Sequence, residues 1–140
     1  IFFSNNKGQF YSINKKTGTI NWVNKISSNI TPAITGNLIF TVSDLGYLFV
    51  IEKNNGNIIR ITDLFKNYKI KKRKKIKPIG FAIGKTNLYL TNTDGKMIVV
   101  DLNLGNITRE EKTSRGFTSK PIIHNKNLFV IRNGSIIKYD

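Results

Sequence analysis

Two glycines ten residues apart recur three times in this chain, as Gly8 and Gly18, Gly46 and Gly56, and Gly95 and Gly105. Each first glycine opens an apolar-rich run that ends six places later on Asp, Asn or Glu: Gly8 to Asn14, Gly46 to Glu52 and Gly95 to Asp101. A fourth copy runs from Gly134 to Asp140. Successive first glycines stand 38, 49 and 39 residues apart, so the unit is about 38 residues with one insertion. Such a period means a repeat architecture, and it must be read before anything else.

Each unit reads as short strands. The runs are rich in Ile, Val, Phe, Tyr and Thr and are bounded by Gly, Asn and Asp. A second strand opens with Asn-Leu ahead of three copies, at Asn37, Asn87 and Asn127, and a proline precedes each, Pro32, Pro78 and Pro121. The first glycine closes a tight hairpin, as in Asn92-Thr-Asp-Gly95, where positive φ is required. The second closes a longer turn, in which the acidic or amide side chain accepts backbone N–H groups. Four antiparallel strands repeated about every 40 residues predict all-β β-propeller blades.

Composition bounds the function. No stretch approaches the roughly 18 to 20 apolar residues of a membrane helix. The absence of cysteine removes disulfides, a thiol nucleophile and thiolate metal sites from these 140 residues. The formal charge of +15 invites polyanions. However, Lys, Asn and Ile make up 58 residues and Ala only two, so AT-rich coding accounts for part of that charge.

The stretch Gly8-Gln-Phe-Tyr-Ser-Ile-Asn-Lys-Lys-Thr-Gly18-Thr-Ile-Asn-Trp22 resembles the quinoprotein-type, pyrroloquinoline-quinone-like propeller repeat. Within that superfamily the chain is most similar to the propeller lipoproteins of the outer-membrane β-barrel assembly machinery. The resemblance implies that Trp22 docks neighbouring blades, with Arg60 and Arg109 at the equivalent positions of the next two copies. It also implies a larger ring, usually of eight blades, of which this chain holds about three and a half. The blades are expected at 1–26 (partial), 27–65, 76–113 and 118–140 (partial), with a basic insertion over 66–77. Ile1-Phe-Phe-Ser4 already reads as a second strand and Lys138-Tyr-Asp140 stops after a third, so a piece of a larger ring is expected. A signal sequence or lipid-attachment cysteine would then lie outside it.

The insertion Lys66 to Lys77 carries eight basic residues in twelve. It reads as a solvated loop projecting from intact blades, because like charges repel. The functional alternative is electrostatic contact of Lys71, Lys72, Arg73, Lys74 and Lys75 with an anionic membrane surface or an acidic partner. Tyr68 alone does not make the aromatic platform that argues for nucleic acid. Trp22 and the glycines 8, 18, 46, 56, 95, 105 and 134 read as structural. His124 falls in a strand-to-strand turn. Asp44, Asp94 and Asp101 fall on turn positions, and Glu110 and Glu111 face opposite sides of a strand.

These residues offer no catalytic constellation, cofactor site or metal site. The resemblance implies a noncatalytic protein-interaction scaffold in the periplasm, associated with the outer membrane and partnered by barrel-assembly components. The alternatives are part of a pyrroloquinoline-quinone dehydrogenase, with its vicinal cysteines, calcium and aspartate base, and a quinoprotein-like binding propeller of another partner.

Overall fold

The computed structural model describes residues 1–113 and 118–139. It forms two compact units, Ile1–Asp63 and Leu64–Asp140. In the first, β1 (Phe2–Ser4), β2 (Phe10–Ile13) and β3 (Ile20–Asn24) form a three-stranded sheet. Next, β4 (Ala33–Thr35), β5 (Leu38–Val42), β6 (Tyr47–Glu52) and β7 (Ile58–Asp63) form a four-stranded one. The second unit repeats this plan with β8 (Pro78–Ile83), β9 (Asn87–Asn92), β10 (Lys96–Asp101) and β11 (Ile107–Lys112). Its last sheet holds β12 (Ile122–His124), β13 (Asn127–Arg132) and β14 (Ser135–Tyr139). Within each sheet, strands adjacent in the chain pair antiparallel. Asp140, the end of the fourth copy, lies outside the described residues.

The turn chemistry follows the repeat. All seven repeat glycines have φ between +72° and +82°. The second glycine of each pair donates its N–H to the carbonyl six residues beyond the first, in Gly18→Asn14 (2.9 Å), Gly56→Glu52 (2.9 Å) and Gly105→Asp101 (2.8 Å). Asn14 and Asp101 also accept backbone N–H groups on Oδ1, at 2.8 Å from Lys16 and 2.8 Å from both Asn103 and Leu104. Glu52, one methylene longer, instead takes the side-chain amides of Asn55 and Asn57.

A bulge recurs as well. Between Ser12 and Ile13, Val50 and Ile51, and Val99 and Val100 the register shifts, leaving Asn21, Ile59 and Thr108 as the extra residues of β3, β7 and β11. Each sits immediately before Trp22, Arg60 or Arg109. A bulge bends its strand and re-aims the next side chain.

In the first unit the two sheets share a core of Phe10, Ile26, Ile39 and Ile51, with Phe2, Trp22 and Phe49 packed against it. In the second, Thr91 Oγ1 donates to the carbonyl of Ser119 at 2.8 Å and Arg132 to that of Thr113 at 2.8 Å, tying its two sheets together. No helix among the described residues is long and apolar enough to cross a membrane.

The insertion departs from the expected projecting loop. Residues Ile70–Arg73 form a short helix, α1, and the segment folds back on the β9–β10 hairpin. Charge repulsion is overcome because Ile76 is buried, Tyr68 is half-buried and Lys72 meets a carboxylate.

Candidate functional site

The basic segment of the second unit is held at both ends and once in the middle. Leu64 and Phe65 are fully buried at its start. Phe65 meets the Tyr68 ring edge-on at 5.4 Å, and the Tyr68 N–H closes a turn on the Phe65 carbonyl at 3.0 Å. Lys77 N donates to Thr93 Oγ1 at 2.9 Å, and Thr93 N returns a bond to the Lys77 carbonyl at 2.9 Å. In the middle, Lys72 Nζ lies 3.3 Å from Asp94 Oδ2. Lys and Arg are good helix formers, and neither Gly nor Pro interrupts residues 66–77. With those anchors the helical bonding continues past α1, through Lys75→Lys72 at 3.0 Å and Ile76→Lys72 at 3.2 Å.

Tyr68 is the centre of the arrangement. The ammonium groups of Lys72 and Lys96 sit 5.0 and 5.1 Å from its ring centroid, within cation–π range. Lys96 is in turn held by Glu110 at 3.3 Å, and Asn67 donates to the other Glu110 oxygen at 2.8 Å. Burial raises the Tyr68 phenol well above its usual value near 10, and the charges of Asp94 and Glu110 push it the same way. The phenol therefore stays protonated throughout the physiological range.

The five basic residues singled out from sequence are not one patch. At about 100° per residue, positions 70, 71, 74 and 75 share one face of a helical turn, and 72, 73 and 76 share the other. Burial separates the two faces at Ile76, 3% exposed, and Arg73, half-buried, against exposed Lys71, Lys74 and Lys75. Lys72 is itself exposed and is marked as inner by its pair with Asp94. Ile70 stands among those lysines at 75% exposure. Among the described residues no carboxylate lies within ion-pair distance of Lys69, Lys71, Lys74 or Lys75. The arrangement can therefore offer an unneutralised cationic face carrying one apolar side chain.

Trp22 sits where the repeat places it. Its ring lies against Phe2 and Phe10, at centroid distances of 5.8 and 5.9 Å, and Nε1 donates to the Lys53 carbonyl at 3.0 Å. Arg109, at the equivalent position, pairs with Glu111 at 3.1 Å in its own strand. Glu110 and Glu111 thus serve different partners on opposite faces. Asp44 is a turn residue, accepting from Ser27 Oγ at 2.8 Å and Asn29 N at 3.1 Å. His124 is exposed at the end of β12. Among the described residues no group of three or more His, Cys, Asp or Glu can hold a metal ion. Asp94, Lys96 and Glu110, which hold the segment, carried no sequence signal linking them to residues about 20 to 40 positions earlier.

Residues 1–62 match a family model described as outer membrane protein assembly factor BamB. No curated protein sequence matches the chain. Among solved structures, BamB from Moraxella catarrhalis superposes with a TM-score of 0.70 at 15% identity, covering 99% of this chain and 42% of that one. The computationally designed Ika4 protein gives 0.72 at 13% identity, covering 98% and 86%. The quinohemoprotein alcohol dehydrogenase ADHIIG from Pseudomonas putida HK5 gives 0.57 at 15% identity, covering 75% and 17%. The chain spans less than half the length of the Moraxella protein. The fold is all-β, built of β-propeller blades, and over residues 1–62 the repeat is similar to the pyrroloquinoline-quinone-like repeat of the assembly-factor family model.

Proposed function

We propose that this chain is part of a noncatalytic protein-interaction scaffold of the outer-membrane barrel-assembly type, acting in the periplasm at the outer membrane. The observation that carries the reading is the match of residues 1–62 to the assembly-factor family model. The architecture supports it. Blades held by repeated turns and bulges make a rigid support, and among the described residues their outermost strands β3, β7 and β11 have one unpaired edge each. Such edges can add a strand from a partner. Ile59 and Ile61 of β7 are exposed at 53% and 55%, an apolar supplement to main-chain bonding.

In the dehydrogenase alternative the cofactor site would lie on residues other than these. The quinone cofactor of that family is covered by a vicinal cysteine disulfide and sits beside calcium. These 140 residues contain no cysteine, and the described ones contain no cluster of metal-ligating side chains.

Calorimetric titration with purified periplasmic domains of a barrel-assembly core protein tests the scaffold. A saturable heat with a Kd of roughly micromolar or tighter is expected, about −8 kcal/mol. Absence of binding, together with stoichiometric uptake of pyrroloquinoline quinone in calcium, would replace this reading with the enzymatic one.

A further inference from the structure

We infer that the outward face of the basic turn, Ile70, Lys71, Lys74 and Lys75, is a contact for an anionic phospholipid surface, with Ile70 entering the headgroup region. Three observations converge. The turn is pinned from behind, by Lys72 on Asp94, by buried Ile76 and by Lys77 on Thr93, so its outward face is presented in a fixed orientation. Among the described residues the lysines on that face have no carboxylate within ion-pair distance, although Lys72 and Lys96 on the inner side do. An isoleucine 75% exposed stands among them.

The chemistry selects the occupant. Ammonium groups on flexible stems suit an array of phosphodiester headgroups, each adding a comparable increment of attraction near an anionic bilayer. An exposed aliphatic side chain within a ring of lysines gains nothing from a nucleic-acid backbone, but it gains apolar burial at the headgroup–acyl boundary. For single-stranded nucleic acid the face lacks a stacking ring, because Tyr68 is half-buried beneath Lys72 and Lys96.

Binding of the 140-residue chain to vesicles of phosphatidylglycerol and phosphatidylcholine, measured by co-sedimentation at low salt, tests the assignment. Two charge-matched double variants separate a built face from bulk charge: Lys71→Gln/Lys74→Gln on the face, and Lys85→Gln/Lys126→Gln in exposed turns elsewhere in the same unit. The first is expected to weaken binding roughly 30-fold, and the second several-fold at most. Ile70→Ser, at unchanged charge, is expected to weaken it about 10-fold. Circular dichroism of each variant checks that the fold is kept. Equal losses from both double variants, or full binding by Ile70→Ser, would assign vesicle binding to overall charge and overturn the inference. So would a face variant that loses more affinity for a single-stranded oligonucleotide than for vesicles.

Discussion

The indole of Trp22 lies so close over Gly56 that a Cβ at Gly56 would stand 2.6 Å from Trp22 Cδ2. Gly56 thus answers to two constraints, its φ of +77° and the aromatic surface above it. Gly18, its counterpart in the first copy, has φ +72° and nothing within 4 Å of where a Cβ would be.

The pair of glycines allows packing to be separated from backbone strain. Gly18→Ala is expected to destabilise by about 1 kcal/mol, the left-handed penalty less the entropy that alanine removes from the unfolded chain. Gly56→Ala adds overpacking against the indole, for about 2 to 4 kcal/mol in all. Urea melts of the two variants give the difference directly. Equal midpoints would mean that the ring moves aside freely.

Trp22 is the sole tryptophan, so its emission reports on the packing of the first two sheets. Its half-buried ring and its bond to the Lys53 carbonyl predict emission to the blue of free indole, moving red on unfolding. Trp22→Phe keeps an aromatic surface but leaves that carbonyl without its donor, and is expected to cost about 1 to 2 kcal/mol. Trp22→Ala removes both and is expected to cost about 3 kcal/mol.

Tyr68 makes stability sensitive to alkali. Its phenol holds its proton more tightly in the folded chain than at the usual value near 10. The folded state therefore binds more protons than the unfolded state once pH exceeds about 10, and stability falls as pH rises from there. Below that point the contribution is fully present. Tyr68→Phe should flatten the alkaline limb of a thermal-melt profile above about pH 10. A limb unchanged in Tyr68→Phe would locate the titration in another group.

The two faces of the basic turn predict opposite stability effects for similar substitutions. Lys72→Gln removes a pair with Asp94 and a cation over the Tyr68 ring, but Lys72 is half-exposed, so about 0.5 to 1 kcal/mol is expected. Lys71→Gln removes only like-charge repulsion and is expected to be neutral or slightly stabilising. Matched melts at low and at high salt check this, since salt should narrow the gap.

The strand plan was legible because the constraint is local. Gly-x9-Gly, the Asn or Asp six places on, and the proline ahead of the Asn-Leu strand each act within a few residues, and β5, β9 and β13 open within one residue of Asn37, Asn87 and Asn127. The basic segment was legible only as charge. Its helical turn depends on Asp94 and Thr93, supplied by a hairpin closed some 20 residues later, and on burial of Ile76. The local pattern holds neither partner, so repulsion among the lysines is all that it expresses. The partition into inner and outer faces follows from the 3.6-residue period once a helix is granted. Ile70 and Ile76, six apart, straddle the two faces and gave no amphipathic signal of their own.

The recurrent bulge has a consequence for how such sheets can diverge. Its extra residue precedes Trp22 in one copy and Arg109 in another, so the backbone directs that side chain independently of which residue it is. In the first copy an indole occupies the position and docks on a neighbouring sheet; in the third a guanidinium occupies it and turns to Glu111 within its own strand. Aim and adhesive are encoded separately. A single codon change can therefore turn a greasy seam into a polar one, or back, while the hydrogen-bond ladder on either side keeps its alignment.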